Sequence, residues 1–203
     1  VAGSLPPQNT QEHYETVVQA GVDVFVIRGA SVSAEHISTS HEPLNLKKFI
    51  YELDVPVMVG GVAGYSQAKH LMRTGAAGVL VGFGGGSAMT TRKGLGISAP
   101  MATAIADVAA ARSDYLDESG GRYVHVIADG GLSRSGDLVK ALALGADAVM
   151  IGAPLARASE APGQGWYWGN EAHSRDFPRG VRTPLGVVGT LEEVLYGPSH
   201  HVD

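Results

Sequence analysis

The chain contains no cysteine, and that absence excludes several kinds of chemistry. Disulfide bonds, cysteine-ligated metal centres and thiol nucleophiles all need the missing residue. Long apolar runs are missing too, since none reaches the roughly 18 residues that a membrane-spanning helix needs. No charged and then apolar signal segment opens the chain. We therefore expect a cytoplasmic protein with no membrane partner, and the lack of cysteine suits a reducing compartment.

Basic residues are outnumbered by acidic ones. The chain has 15 Lys and Arg against 20 Asp and Glu, and no basic stripe runs along any segment. Nucleic acids are therefore not expected as partners, whereas a small anion would need only a local positive site. The histidines, including His36, His41 and His125, have no spacing that is typical of a metal site, so we expect no metal.

Five short apolar runs are continuous rather than alternating, which is typical of parallel strands that are buried on both faces. The runs are Val22–Ile27, Val55–Val59, Gly78–Val81, Val124–Ile127 and Ala148–Ile151. Helix-like segments precede them at Thr10–Ala20, Leu44–Leu53, Ser66–Thr74, Pro100–Tyr115 and Ser135–Leu144. Glycine turns at Gly21, Gly75 and Gly145 join helix to strand. Val1–Ser4 resembles the end of one more strand.

This alternation of strand and helix predicts an α/β fold, either doubly wound or an eight-stranded barrel. Each run closes with glycine, small or polar residues, and a barrel collects its sites at the carboxyl ends of its strands. We therefore predict a (β/α)8 TIM barrel. Such a barrel needs eight strands and about 250 residues. With about five βα units visible, residues 1–203 are expected to be the C-terminal part of a single barrel domain.

A glycine-rich loop follows the third run. Residues 82–92 read Gly-Phe-Gly-Gly-Gly-Ser-Ala-Met-Thr-Thr-Arg, a composition that brings backbone N–H groups close to an anion. We predict that residues 82–99 form an active-site loop that binds a phosphate. A dinucleotide fingerprint would also require a helix and a later acidic residue, which are absent here. Asp129, at the end of the fourth run, is either a ligand for a diol or an ordinary turn aspartate.

Four motifs, taken in order, resemble the IMP dehydrogenase and GMP reductase family of purine nucleotide enzymes. They are Gly82–Thr91, Val126–Gly131, Val139–Gly152 and Glu160–Gly163, within a resemblance that runs from about Ala20 to Pro198. The details are most similar to a cysteine-free branch of IMP dehydrogenase-related proteins from actinobacteria. The resemblance implies a purine mononucleotide (IMP, GMP or XMP) as ligand, NAD(P) as cofactor, and a homo-oligomer, namely a tetramer.

The resemblance also implies roles for individual positions. Ser87, Gly130, Gly131, Gly152 and Ala153 would surround the 5′-phosphate, and Asp129 would accept hydrogen bonds from the ribose hydroxyls. The carbonyl groups of Gly84, Gly86 and Met89 would hold a monovalent cation. Thr91 would lie near the reacting purine carbon.

Several positions depart from the family pattern. Met89 replaces the cysteine nucleophile, Arg28 stands where the family has an Asp near the nicotinamide, Gly61 replaces an Asn, and Ala153 replaces a serine. A thioether has no proton to lose, so the covalent route of the family is closed. We predict nucleotide binding with impaired or altered NAD(P)-linked oxidoreductase activity. The alternatives are a non-catalytic nucleotide sensor or partner-binding protein, and a barrel enzyme that acts on another phosphorylated metabolite.

Three further interpretations remain open at this level. Arg28 would pair with a phosphate or carboxylate in the barrel mouth, or with Asp23 or Glu35. Residues 156–190 resemble the mobile flap of the family, loosely and through Pro178-Arg179-Gly180. Within this segment, Trp166–Trp168 would stack on a purine, anchor the loop on the barrel or bury a subunit contact.

Overall fold

The computed structural model describes residues 1–29, 35–36, 43–89, 91–169 and 182–197. In chain order, its elements are β1 (Ala2–Leu5), α1 (Pro7–Gln19), β2 (Val24–Arg28), β3 (Glu35–His36), β4 (Leu44–Asn45), α2 (Leu46–Glu52), β5 (Val57–Val62), α3 (Tyr65–Arg73), β6 (Gly78–Val81), α4 (Thr91–Leu95), α5 (Met101–Glu118), β7 (His125–Asp129), α6 (Ser135–Ala143), β8 (Ala148–Met150), α7 (Ala153–Ala156), β9 (Trp166–Tyr167), β10 (Thr183–Pro184) and α8 (Leu191–Tyr196).

Six parallel strands form the main sheet, in the order β1-β2-β5-β6-β7-β8. Every strand expected from the apolar runs is present, including the short one at the start of the chain. The expected helices are also present, with ends that differ by at most three residues. For example, α1 begins at Pro7 rather than at Thr10, because proline suits a first helical turn.

The sheet buries side chains on both faces. On one face, Phe25, Ile27, Val59 and their counterparts on β6 and β7 pack against the helices in one large core. On the other face, Val26, Leu80 and Ile127 form a second cluster, with Val24 and Met58 against it. Neighbouring residues of a strand point to opposite faces, so each strand contributes to both clusters. A curled parallel sheet with helices outside and a packed layer inside is part of a (β/α)8 barrel, as predicted.

The glycine turns between helix and strand have the backbone conformation that the sequence suggested. Gly21, Gly75 and Gly145 have φ values of 77°, 105° and 106°, a region that other residues rarely adopt. At the end of α6, the Gly145 N–H donates to Leu142 O and the Ala146 N–H donates to Ala141 O. These bonds satisfy carbonyl groups that the helix end would otherwise leave unpaired.

Several short elements could not be read from the sequence. They are α4 inside the glycine-rich segment, the antiparallel pairs β3–β4 and β9–β10, and the helices α7 and α8. Pro178-Arg179-Gly180 and His41 lie outside the described residues, and His36 is described only as backbone in β3. Over the described ranges, each helix is too short or too polar to traverse a lipid bilayer.

Candidate functional site

The carboxyl ends of the parallel strands lie along one rim of the sheet, which we call the mouth. Gly29 continues the β2–β5 ladder one residue past β2, because Gly29 N donates to Gly60 O at 2.7 Å and Gly61 N donates to Gly29 O at 2.9 Å. Gly82 N donates to Val62 O at 2.7 Å at the end of β6. The loops that follow these strands therefore start side by side at one rim.

The glycine-rich loop leaves β6 through positions that exclude a side chain. Gly82 has φ 117°, and a Cβ atom there would lie 2.5 Å from the Asp129 carbonyl oxygen. Gly84 also has a positive φ, of 72°. The turn then tightens, since Met89 N donates to Gly86 O at 3.1 Å. Only glycine lets this loop lie so close to the end of β7.

This loop meets the loop after β7 backbone to backbone. A Cβ atom on Gly85 would lie 3.3 Å from the carbonyl carbon of Gly130 and 3.4 Å from the nitrogen of Gly131. Both partner glycines have positive φ values, of 99° and 74°. The structure thus brings Gly130 and Gly131 together with the segment that contains Ser87, which is exposed. Close glycine backbones of this kind leave room for an anion.

A tyrosine covers the next strand end. A Cβ atom on Gly152, just after β8, would lie 2.5 Å from the Tyr167 hydroxyl oxygen. Tyr167 pairs with Thr183 in the β9–β10 hairpin, and the Thr183 hydroxyl donates to the Ser87 carbonyl at 3.5 Å. The hairpin therefore touches both the loop after β6 and the end of β8. Ala153 is the first residue of α7 and is half-buried.

The two tryptophans that flank Tyr167 are more exposed. Trp166 and Trp168 keep 49% and 36% of their surface accessible. The Arg182 guanidinium lies 5.3 Å from the Trp168 ring centroid, a cation–π contact within the hairpin. Neither this contact nor the exposure of the two rings identifies a purine, so stacking of the tryptophans on a base stays a prediction.

Arg28 and Asp129 form an ion pair inside the mouth. Arg28 Nε donates to Asp129 Oδ2 at 2.8 Å, and Arg28 Nη2 donates to Asp129 Oδ1 at 3.0 Å. Both residues belong to the inner layer, since they follow Val26 and Ile127 with the period of two that a strand imposes. Asp129 is 7% exposed. Of the partners considered for Arg28, the carboxylate in the mouth is confirmed.

The mouth was also predicted to hold a monovalent cation and a nicotinamide cofactor. No cluster of three or more His, Asp or Glu that could hold a metal occurs within the described ranges. The carbonyl groups of Gly84, Gly86 and Met89 share one loop, and the Gly86 carbonyl already accepts the Met89 N–H. At the end of β2, where the resemblance implies an acidic residue near the nicotinamide, this chain has Arg28, which is paired with Asp129.

Comparison with known proteins identifies the family. The sequence profile described as the IMP dehydrogenase / GMP reductase domain matches residues 1–181. The chain belongs to this family. It is 58% identical over 198 residues to an uncharacterized oxidoreductase of Mycolicibacterium smegmatis, covering 96% of this chain and 53% of that protein. It is 39% identical over 188 residues to the inosine-5′-monophosphate dehydrogenase of Aquifex aeolicus, covering 93% of this chain and 35% of that protein.

A solved structure agrees with the fold. The crystal structure of an IMP dehydrogenase/GMP reductase-like protein from Corynebacterium glutamicum superposes with a TM-score of 0.86 at 54% identity. It matches 100% of this chain and 52% of the other chain. The chain thus spans about half the length of the Mycolicibacterium smegmatis and Corynebacterium glutamicum proteins.

The structure gathers most of the predicted site residues. Asp129, Gly130 and Gly131 lie against the glycine loop, while Thr91 stands further along as the first residue of α4. Sequence reasoning included a carboxylate in the mouth among the partners of Arg28 but did not identify it as Asp129, and it missed the contact of Tyr167 with Gly152. The alternation of side chains along a strand was the available signal for the ion pair. Arg28 and Asp129 lie two residues after Val26 and Ile127, so all four side chains point to the inner face of the sheet. No sequence signal pointed to the second contact.

Proposed function

We propose that this chain binds a purine mononucleotide at the mouth of its partial barrel and forms the nucleotide-binding part of an IMP dehydrogenase-related oxidoreductase. The observation that carries the proposal is the convergence of three strand ends. Glycine backbones after β6 and β7 touch each other, the end of β8 is next in the sheet, and Asp129 is buried at the end of β7. The matched family acts on purine nucleotides, which selects this ligand class.

The 5′-phosphate is assigned to the loops after β6, β7 and β8. Neighbouring parallel strands are about 5 Å apart, so the backbone N–H groups of Gly131, Gly152 and Ala153 are within reach of one phosphate. Ser87 and the Tyr167 hydroxyl add side-chain donors at its edge. Glycine at these positions favours the assignment, because any Cβ atom on Gly152 would collide with Tyr167. The last two strands of a barrel are the usual place for a phosphate.

The ribose is assigned to Asp129. A carboxylate only accepts hydrogen bonds when it is ionised, and a vicinal diol offers two donors at a matching separation. Asp129 lies directly before the phosphate glycines, as a ribose ligand must when the nucleotide lies across the mouth.

The chemistry that follows binding is constrained by Met89. A methionine thioether cannot form the covalent adduct of the family, and Arg28 stands where the cofactor side of the site would need an acidic group. We place Thr91 near the reacting purine carbon. A monovalent cation on the carbonyl groups of Gly84, Gly86 and Met89, NAD(P) linkage and assembly as a tetramer are part of the proposal through family membership alone.

A second candidate function is a purine nucleotide sensor without catalysis. It is favoured by one specific contrast. Of the residues assigned to phosphate and ribose, Ser87, Asp129, Gly131 and Gly152 match the family pattern and only Ala153 departs from it. By comparison, Met89, Arg28 and Gly61 replace three residues of the redox machinery. Turnover separates the two candidates. Conversion of IMP to XMP with NAD(P), or of GMP to IMP with NADPH, above the background of a protein-free control would reject the sensor.

Calorimetric titration of the protein with IMP, GMP, XMP and ribose 5-phosphate tests the binding proposal. We expect micromolar binding of a purine nucleotide, and a loss of at least about 100-fold in affinity for Asp129→Asn, because two charge-assisted hydrogen bonds are lost. Asp147→Asn, which alters an aspartate at the other end of the barrel, is the matched control and should bind normally. Stronger binding of ribose 5-phosphate than of any nucleotide would instead indicate an enzyme of another phosphorylated metabolite.

A further inference from the structure

The motif Glu160–Gly163 is not used by the proposed function, although it lies between the end of β8 and the tyrosine that covers that end. The Leu191 backbone N–H donates to the Glu160 carboxylate, at 3.1 Å to Oε1 and 2.9 Å to Oε2. The Ser159 hydroxyl donates to Oε2 at 3.0 Å. Leu191 is the first residue of α8, so the Glu160 carboxylate joins the segment after β8 to the start of the last helix.

Backbone hydrogen bonds connect the same two segments. Ser159 N donates to Gly189 O at 2.8 Å, and Val188 N donates to Arg157 O at 2.9 Å. Ala158 and Gly189 form a parallel bridge. The segment after β8 therefore runs beside the segment that leads into α8, and the two form a short ladder.

A tight turn, residues 160–165, leads from this ladder to the β9–β10 hairpin. Within it, Gln164 has φ 45°, a left-handed conformation that residues other than glycine rarely adopt. The Gln164 side-chain amide donates to the carbonyl oxygens of Ser159 at 3.0 Å and Ala161 at 3.1 Å. These bonds offset the cost of the left-handed backbone and keep the turn closed.

The far end of the turn is joined to the returning chain as well. Leu185 N and Gly186 N donate to Gly165 O, at 2.8 and 3.2 Å. A Cβ atom on Gly165 would lie 2.7 Å from the Gly186 carbonyl carbon, so the two backbones are in direct contact. Tyr167 follows two residues later, with its hydroxyl against Gly152. The turn is thus fixed at both ends, and its geometry sets the position of Tyr167.

We propose that Glu160 is a positioning residue for the Tyr167 hydroxyl. It acts through the turn and α8 and makes no contact with the ligand. By fixing the turn, it holds Tyr167 against Gly152, where the proposed function, on which this inference rests, assigns the 5′-phosphate. Without the Glu160 bonds the hydroxyl withdraws and the phosphate loses one donor, while the loops after β6 and β7 keep theirs.

A double-mutant cycle tests this role. Wild type, Glu160→Ala, Tyr167→Phe and the double variant are titrated with IMP and with ribose 5-phosphate. Two residues that act through one contact have effects that do not add, whereas independent residues have effects that do. The loss of a negative charge would by itself favour an anion, so weaker binding by Glu160→Ala reports position rather than charge.

We expect each single variant to bind about fivefold more weakly than wild type, because one hydrogen bond to the phosphate is lost. The double variant should also bind about fivefold more weakly, rather than the roughly 25-fold of independent effects. The losses should be equal for IMP and ribose 5-phosphate, since both carry the same phosphate.

Two further variants serve as controls. Glu160→Gln keeps an oxygen that accepts from the Leu191 N–H, so it should bind within about twofold of wild type. Glu192→Ala removes a carboxylate from the first turn of α8 but none of the Glu160 bonds, and it should bind normally.

Unchanged affinity of Glu160→Ala, or a fivefold loss that persists in the Tyr167→Phe background, would overturn the positioning role and leave the proposed function standing. Absence of binding of both probes by wild type would reject the proposed function and the positioning role together. If Glu160→Ala does not fold, Glu160→Asp replaces it in the cycle, because aspartate draws the carboxylate back by one methylene group. A loss that disappears in the Tyr167→Phe background then supports the role, and any other result overturns it.

Discussion

The two ends of the barrel use arginine in opposite ways. At the amino ends of the strands, Arg122 donates to the carbonyl oxygens of Met72 at 3.2 Å and Ala76 at 3.1 Å, to that of Gly75, and to the Tyr115 hydroxyl at 3.2 Å. These partners are mostly backbone groups of the α3–β6 turn. At the mouth, Arg28 binds a side-chain carboxylate three strands away.

A second network at the amino end has the same fixed character. Arg112 donates to Asp147 at 2.8 Å, and Asp147 also accepts from the Val126 backbone N–H at 2.7 Å and from Tyr123. Burial acts to raise the pKa of Asp147, but the hydrogen bonds from Tyr123 and Val126 and the charge of Arg112 outweigh it, and the pKa is lowered. A lowered pKa means that Asp147 stays ionised, so it keeps its hydrogen bonds to Arg112, Tyr123 and Val126.

Position in the barrel, rather than residue type, distinguishes these arginines: Arg122 and Arg112 lie at the amino end, and Arg28 lies at the mouth. Arginine donors at the amino end bind backbone carbonyl groups and the Asp147 carboxylate, so their loss should destabilise the fold. The mouth contains glycine loops and the Arg28–Asp129 pair, so changes there should act mainly on ligands. In barrels generally, the amino end serves stability and the carboxyl end serves chemistry.

The largest expected effect is at the amino end. Arg122→Ala should lower the free energy of unfolding by roughly 2–3 kcal/mol, because several partly buried carbonyl groups lose a charged donor. Urea denaturation measures this change. Arg134→Ala is the matched control, since Arg134 is exposed like Arg122 but makes none of these bonds, and it should stay within about 0.5 kcal/mol of wild type. A large fall in nucleotide affinity of folded Arg122→Ala would break the division between the two ends.

A moderate effect is expected at the mouth. Tyr167→Phe removes the hydroxyl group that lies against Gly152 and should weaken ribose 5-phosphate binding about fivefold, which is the size of one hydrogen bond. The melting temperature should hardly change. Trp166→Phe alters the neighbouring residue of the same strand and is the control, with unchanged affinity. Equal affinities in all three proteins would remove Tyr167 from the phosphate site.

The smallest effect depends on pH and concerns the outer surface. Hydrogen bonds from Arg73 and Lys69 lower the pKa of Glu118 from 4.5 to about 2. A carboxylate whose pKa is lowered by folding stabilises the fold above its unfolded pKa and loses that contribution as pH falls through the folded value. The stability difference between wild type and Glu118→Gln should therefore be constant near neutral pH and vanish between pH 4.5 and about 2.

The dependence on salt concentration gives a second test of the Glu118 ion pairs. The pair is exposed, so added salt should shrink the difference between wild type and Glu118→Gln at neutral pH. A difference that persists unchanged down to pH 2 would show that Glu118 acts through packing rather than charge.

Much of the fold could be predicted from the sequence, because continuous apolar runs and glycine turns report local structure directly. The strands β2, β5, β6, β7 and β8 follow from such runs, and Asp129 follows from its place at a strand end. The pairing of Arg28 with Asp129 needed the strand order and the curl of the sheet, which no local pattern encodes. The contact of Tyr167 with Gly152 needed the return of the β9–β10 hairpin, for which two-residue strands leave no periodicity.

The separation of Arg28 and Asp129 along the chain has a consequence for folding. Their 101-residue spacing makes the ion pair one of the long-range contacts of the molecule. The ion pair cannot form until β5 and β6 have paired between β2 and β7, because β5 and β6 set the distance between Arg28 and Asp129. Contacts that close long loops form late. The site should therefore become competent only when the sheet is complete, and Arg28 would be among the last residues to reach its native partner.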